Sequence, residues 1–155
     1  MNKIYASTKE LIPIFRELLE SGNIISVKIT GNSMFPLFSH IRDTLTISRS
    51  DKYKKRDIVM YVRDNGDLVI HRIVGKKDNA FILCGDNQMI KEYPIRSEQI
   101  MGKLISFERK GKKYTVKNPI YLIYSFIWCI SLKLRKPMLK IMLETSKKLN
   151  GRASS

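Results

Sequence analysis

The sequence predicts a mainly β protein, a compact antiparallel β domain with one helix before it and a pair of helices after it. An alternating apolar and polar run begins at Ile25, further short strand-like runs follow it, and turns rich in Gly, Asn and Asp separate several of them. Apolar residues at helical spacing precede these runs, and an uncharged apolar segment follows them. The 155 residues are 43% hydrophobic and 28% charged, which suits one globular domain and excludes disordered or collagen-like chains.

The first element is a helix predicted at about residues 8–21. Its apolar face consists of Leu11, Ile14, Leu18 and Leu19. Ser7 and Glu10 form a capping box, and the helix is expected to close at Ser21-Gly22. Pro13 removes a helical hydrogen bond, so the helix either kinks there or begins nearer to it. Because charges are spread through this segment, we expect neither a secretory signal nor an amino-terminal membrane span.

Seven strands follow, with hairpin turns between several of them. A period-2 run predicts a strand at 25–29, and further short runs predict strands at 44–48, 58–62, 68–74, 80–84, 100–108 and 114–116. Hairpin turns are predicted at 64–67, 77–79 and 109–111. The β domain, including the first helix, is therefore expected to cover residues 1–117.

The remaining residues, 118–155, predict a basic, aromatic helical pair. Asn118 is typical of a helix cap and Pro119 of the first helical position. The segment 118–132 carries no charge, and a second helix is predicted from Pro137 to about Lys148. Fourteen helical residues reach only ~21 Å, short of a ~30 Å hydrocarbon core, so this segment is not expected to cross a membrane.

The charge distribution indicates an anionic partner for this tail. Residues 109–155 hold 12 basic residues and a single acidic one, Glu144. Nucleic acid is disfavoured because the aromatic residues lie in a charge-free helix. We expect Tyr121, Tyr124 and Trp128 to enter an anionic membrane surface on the cytoplasmic face, with Lys133, Arg135, Lys136, Lys140, Lys147 and Lys148 at the headgroups. The alternative is that 119–132 packs on the β domain as a core helix.

Neither a metal nor a cofactor is expected. Cys84 and Cys129 lie far apart in sequence, and the two histidines, His40 and His71, have no spaced set of ligands. The sequence also lacks the glycine-rich phosphate-binding motifs GxxxxGK[ST] and GxGxxG. His40, in a polar turn, is interpreted as an exposed loop residue.

Five short motifs follow one another in a fixed order. They are Gly31-Asn32-Ser33-Met34-Phe35-Pro36, Arg56-Asp57-Ile58-Val59, Val69-Ile70-His71-Arg72, Gly85-Asp86-Asn87 and Ile100-Met101-Gly102-Lys103-Leu104. Together they resemble the ordered boxes of type I signal peptidases and their superfamily, which includes self-cleaving repressors of the LexA type. The resemblance spans roughly residues 24–107.

The resemblance implies a serine endopeptidase that cleaves a leader or signal-like peptide. Ser33 matches the nucleophile, and His71 lies where most bacterial members have a lysine base, which is the pattern of the Ser/His-dyad branch. Asp86 matches an acidic position of that branch that assists the histidine. Glu92 lies close to a second such position; Asp86 is preferred.

The same chemistry follows from the residue types. A serine hydroxyl needs a base within reach, and neutral imidazole can take its proton and return it to the leaving amine. On an alternating strand His71 shares a face with Val69 and Ile73. The Ser33 N–H is the first candidate for stabilising the oxyanion, while Gly31 offers no side-chain donor. Thr30 or another backbone amide is left as the second donor.

A function of another class remains open: a non-enzymatic membrane-surface or nucleic-acid binding module that kept the fold. The presence of both Ser33 and His71 in their boxes favours the enzyme. A self-cleaving repressor is disfavoured, because no helix-turn-helix precedes the β domain and the base is not lysine.

Overall fold

A computed structural model describes residues 8–130 and residues 135, 137, 140 and 141. The elements are α1 (Thr8–Glu20), β1 (Ile24–Lys28), β2 (Thr44–Ser48), β3 (Ile58–Val62), β4 (Leu68–Lys77), β5 (Ala80–Cys84), β6 (Glu92–Ile95), a 3₁₀ helix (Ser97–Gln99), β7 (Ile100–Arg109), β8 (Lys112–Thr115) and α2 (Pro119–Ile130). The mainly β class, with a helix on each side, is confirmed. Most of the second predicted tail helix lies outside the described residues.

The strands form one antiparallel sheet. Its order is β1-β2-β7-β3-β4-β5-β6, and β8 pairs with β7. The hairpins β3–β4, β4–β5 and β7–β8 occur at the three predicted turns. β6 was not predicted, and with β1 it ends the order of the sheet. The sequence pattern therefore indicated the middle of the sheet but missed one of its two edges.

Helix α1 ends in a glycine cap. It runs through Pro13 and closes where expected, with Gly22 at φ +81°. The N–H of Gly22 donates to Leu19 O and that of Asn23 to Leu18 O, which is the Schellman pattern. Leu19 is buried, so this helix contributes to the core next to β1.

Two apolar clusters lie on opposite faces of the central strands. Met60 of β3 belongs to one cluster, with Leu45, Ile47 and Phe107. Tyr61, its neighbour in the chain, belongs to the other, with Ile73 and Leu83. Because side chains alternate along a strand, His71 is placed with Ile73 and away from Arg72, as predicted.

Helix α2 packs on the sheet domain. Asn118 caps it, its Oδ1 accepting from the N–H groups of Ile120 and Tyr121. Tyr121, Ser125 and Trp128 are buried. The division at 117/118 thus falls between β8 and α2, but α2 shares the core of the β domain. No helix among the described residues is long and apolar enough to cross a bilayer.

The expected role of the aromatic residues in the tail is therefore corrected. Tyr121 is 7% exposed and Trp128 1%, and Tyr124 is half-buried and stacks on Trp128. These rings pack inward because Ser125 between them bonds to the buried Arg72. Arg135, expected at the lipid headgroups, is also buried.

Candidate active site

Ser33 lies in the loop between β1 and β2. Gly31 has φ +87°, a conformation that favours glycine, and its N–H donates to Nδ1 of His40 at 2.8 Å. His40 is exposed, as predicted, and it also anchors this loop. Met34, the next residue, is buried, and Ser33 itself is half-buried. The loop is thus fixed on both sides of the serine, and the glycine two residues earlier is required by the backbone.

A turn at residues 85–88 supports Ser33 from behind. The N–H of Asn87 donates to Ser33 O at 2.8 Å. A Cβ atom at Gly85 would lie 2.7 Å from the same carbonyl oxygen, so only glycine fits there without displacing the backbone. The backbone of Ser33 is therefore held by a contact that leaves no space for a side chain at residue 85.

His71 is buried in β4, and its Nδ1 atom has two oxygen neighbours. Oε1 of Glu92 is 3.0 Å away and the hydroxyl oxygen of Tyr61 is 3.1 Å away. The Tyr61 hydroxyl donates its own hydrogen to Oε2 of Glu92 at 2.7 Å, so its oxygen is left to accept. The Nδ1 atom therefore carries the proton, and the lone pair of a neutral His71 is on Nε2.

Glu92 is held in place by Arg63 as well as by Tyr61. The guanidinium of Arg63 donates from Nε to Oε2 at 2.9 Å and from Nη2 to Oε1 at 2.6 Å. Burial opposes ionisation of Glu92, but the hydrogen bonds from Arg63 and Tyr61 outweigh it and lower the pKa of the carboxyl. Glu92 is therefore ionised at neutral pH and accepts hydrogen bonds at both carboxylate oxygens.

The protonation of His71 is set mainly by its burial. Burial lowers the pKa of the imidazole, and although Glu92 pulls it upward, the net direction is down from 6.5. Arg63 adds to the lowering. The ring is consequently neutral at pH 7, as a base has to be.

Ser33 and His71 line the same cleft, which has a volume of about 540 Å³. Among the described residues, neither Ser33 Oγ nor Nε2 of His71 has a protein hydrogen-bond partner. Helix α1, strand β1 and strand β4 supply the walls. The other lining residues include Leu11, Phe15, Val27, Ile29, Thr30, Met60, Arg63, Leu68, Ile70 and Gln88. The structure thus brings the first two predicted site residues to one cavity.

Asp86 lies elsewhere, and the preference for it is corrected. Its carboxylate accepts from Nε and Nη2 of Arg72, both at 2.8 Å, and from the Tyr124 hydroxyl at 3.1 Å. Asp86 and Arg72 are both fully buried. Because Arg72 points away from the His71 face, its partner does too, and the carboxylate in contact with His71 is that of Glu92.

The turn at 85–88 also contacts α2 and Arg135. The indole of Trp128 donates to Asp86 O at 2.9 Å. Arg135 donates to Gly85 O at 2.9 Å and to Trp128 O at 3.1 Å. One turn therefore contacts the serine loop on one side and α2 with Arg135 on the other.

Tyr61, Arg63 and Gln88 are site residues that the sequence reasoning missed. Tyr61 and Arg63 are two residues apart at the end of β3, a spacing that puts both on one face. This alternation could have identified both residues, but Arg63 lies beyond Val62, the last apolar residue of the strand. Within the described part of the chain, no group of three or more His, Cys, Asp or Glu side chains has the arrangement of a metal site.

A family model described as Peptidase S24-like matches residues 2–105, about two thirds of the chain. The matched stretch runs from α1 into β7 and includes Ser33, His71 and Glu92. No curated protein matches the chain.

Proposed function

This chain belongs to the Peptidase S24-like family, and from that premise we propose that it is a serine endopeptidase acting on an extended leader or signal-like peptide. One observation carries the proposal. Ser33 and His71 line one cleft, and Nδ1 of His71 faces Glu92 and Tyr61, which leaves Nε2 as the base.

The reaction we propose begins with proton transfer from Ser33 Oγ to Nε2 of His71. Oγ attacks the peptide carbonyl carbon, a C–O bond forms and the carbonyl oxygen becomes an oxyanion. When the C–N bond breaks, Nε2 returns the proton to the leaving amine, and an acyl-enzyme remains. A water molecule then repeats the sequence: Nε2 takes its proton, the acyl group is released as an acid, and Ser33 regains its hydrogen.

Glu92 is proposed as the positioning residue for the base. An ionised carboxylate next to Nδ1–H stabilises the imidazolium that forms during attack and keeps the ring in one tautomer. Arg63 keeps that carboxylate ionised, and Tyr61 fixes its second oxygen. In this proposal Glu92 has the role for which the sequence analysis preferred Asp86.

The oxyanion is proposed to bind at the backbone N–H of Ser33. This group has no hydrogen-bond partner among the described residues. A second donor is needed for full stabilisation. Thr30 and Gln88 both line the cleft and are the candidates.

Strand β1 supports an extended substrate. Among the described strands it pairs with β2 alone, and residues 26–30 line the cleft. An extended peptide can add to such an edge through main-chain hydrogen bonds while its side chains enter pockets. The aliphatic lining of the cleft favours apolar residues at those positions.

The test is to incubate the full chain with a library of unstructured peptides and map new amino termini by mass spectrometry. The variants Ser33→Ala and His71→Ala should lose cleavage by about 10³-fold or more. Ser97→Ala is the matched control, because Ser97 is exposed and does not line the cleft. Equal cleavage by wild type and Ser33→Ala would overturn the assignment, and so would a wild-type chain that cleaves no peptide.

A further inference from the structure

Helix α2 presents an apolar side to solvent. We call this side the outer face of α2. It consists of Ile120, Leu122, Ile123, Phe126, Ile127 and Ile130. Their exposed fractions run from 45% for Ile127 to 76% for Ile120, so all six remain open to solvent. A contiguous apolar surface of this kind on a folded domain indicates a binding surface.

The helix cannot rotate to bury this face. Its opposite side holds Tyr121, Ser125 and Trp128 in the core. Ser125 Oγ accepts from Arg72 at 2.9 Å, and the Trp128 indole donates to Asp86 O at 2.9 Å. These two bonds to buried groups fix the orientation of α2, so the exposure of the outer face is built into the fold.

Positive charge borders the outer face. Near its beginning, Ile120 shares a cleft with Arg109, Lys110 and Lys112. Further along, the guanidinium carbon of Arg56 lies 5.7 Å from the ring centroid of Phe126. The sequence from 109 to 155 contains 12 basic residues and only Glu144 as an acid. The partner must therefore offer both an apolar region for the aliphatic side chains and negative charge for the cations.

The chemistry of the face favours lipid over other anionic partners. Nucleic acid is held by stacking aromatic rings and by hydrogen-bond donors, whereas five of the six residues of this face are aliphatic. A second copy of the chain would bring the two basic borders together, which is unfavourable. An anionic bilayer offers an acyl boundary for the isoleucines and headgroups for the lysines and arginines.

We propose that the outer face of α2 docks this protein on the surface of an anionic lipid bilayer. The helix lies in the plane of the interface, since its 12 residues reach ~18 Å, short of a ~30 Å hydrocarbon core. The aliphatic side chains enter the acyl boundary while Tyr121 and Trp128 stay in the protein core. This inference is independent of the proposed peptidase activity.

The experiment is flotation of the full chain with vesicles of phosphatidylcholine and phosphatidylglycerol in equal amounts, compared with phosphatidylcholine alone. We expect binding to the mixed vesicles only, weakening as sodium chloride is raised because the attraction is partly electrostatic. The Ser33→Ala variant should bind like the wild type, so the lipid result and the peptidase result can be judged separately.

Paired variants test the face itself. The double variant Ile123→Ser/Ile127→Ser should bind at least about fivefold more weakly, whereas Ile24→Ser, at an equally exposed isoleucine on β1, should not. Lys110→Glu should weaken binding by about fivefold, and Lys77→Glu, on the β4–β5 hairpin, should not. Circular dichroism of each variant checks that the fold is kept.

Several results would overturn the proposal. These are equal binding by the serine double variant and the wild type, equal binding to neutral and anionic vesicles, and binding to a duplex DNA fragment in preference to vesicles. Concentration-dependent dimerisation that the double variant abolishes, without vesicle binding by the wild type, would assign the face to a second copy of the chain instead.

Discussion

Nδ1 of His71 lies 3.0 Å from Oε1 of Glu92, although the two residues belong to strands that are not neighbours in the sheet. β5 lies between β4 and β6, and Leu83 of β5 is the residue opposite Glu92. The contact forms because Glu92 is also drawn to Tyr61 and Arg63, which come from β3 and the residue just after it. Strands β3 and β6 thus supply the environment of an imidazole that β4 carries.

Replacing Glu92 by glutamine should remove catalysis without removing the fold. The amide keeps the size of the side chain but loses the charge that stabilises the imidazolium, so kcat should fall by about 10² to 10⁴. Measurement of kcat and Tm on the same preparation separates the two effects. Glu98→Gln, at an exposed site, is the control. A Glu92→Gln enzyme with wild-type kcat would contradict the positioning role.

The pH profile should report the burial of His71. The pKa of the imidazole is lowered, so kcat/KM should be level near pH 7 and fall in acid with a midpoint below about 6.5. Arg63 contributes to the lowering. In Arg63→Gln the ring should therefore protonate more easily, and the acid limb should move to higher pH.

Arg49→Gln is the control for this shift, since Arg49 pairs with Glu20 on the surface. Its profile should coincide with that of the wild type. A flat profile from about pH 5 to 8, or an acid limb that moves to lower pH in Arg63→Gln, would contradict the assignment of His71 as the base.

Neutralising Asp86 should destabilise the protein, because Arg72 would then be a buried cation without its carboxylate partner. Asp86→Asn should lower the free energy of unfolding by about 3 to 5 kcal/mol in urea titrations. The pair Arg96–Asp64 has the same 2.8 Å separation but is exposed, with side chains 55% and 74% accessible. Asp64→Asn should therefore cost no more than about 1 kcal/mol. Equal losses in both variants would contradict this account.

Gly85→Ala should reduce catalysis by displacing Ser33. The added Cβ would meet Ser33 O at 2.7 Å, and a shift of ~1 Å at a nucleophile can cost about 10²-fold in kcat. Gly111→Ala is the matched control: its φ of +75° makes alanine strained, by about 1 to 2 kcal/mol, but its surroundings are open. The control should lose stability and keep its kcat. Unchanged kcat in Gly85→Ala would show that the turn does not seat the serine.

The central strands could be predicted because each satisfies two local rules. Strands β2, β3 and β5 match the predicted ranges, since β2 alternates polar and apolar residues, β3 and β5 are short apolar runs, and turn residues delimit them. The superfamily predicted from the ordered boxes is confirmed by the family match. The Ser/His branch and the roles of Ser33 and His71 stay predictions.

Strand β6 and the role of Glu92 could not be read from local pattern. Pro94 lies inside the strand, and Tyr93 beside it is exposed, so neither alternation nor propensity marks the segment. The choice between Asp86 and Glu92 depended on which sheet face each carboxylate reaches. Asp86 faces away from His71 because it pairs with Arg72, which lies 14 residues earlier in the sequence. Arg72 is on the face of β4 opposite His71, and it meets Asp86 only when β4 and β5 are paired.

The rotation of α2 about its own axis could not be predicted from the sequence either. The segment is apolar on every side, so its periodicity gives no direction. Ser125 is the one polar residue that selects the inner side, and it does so through Arg72 on a distant strand. Tyr121, Tyr124 and Trp128 face inward with Ser125, whereas Phe126 and the aliphatic residues are left outside.

The turn at 85–88 has a consequence for the order in which the protein matures during synthesis. The family match ends at residue 105, yet the turn that seats Ser33 is completed by Trp128 and Arg135. A nascent chain that has emerged only as far as β7 holds Ser33, His71 and Glu92 but leaves Asp86 and Arg72 without α2. The turn that contacts Ser33 therefore gains its last hydrogen-bond partners only after nearly all of the described chain has left the ribosome.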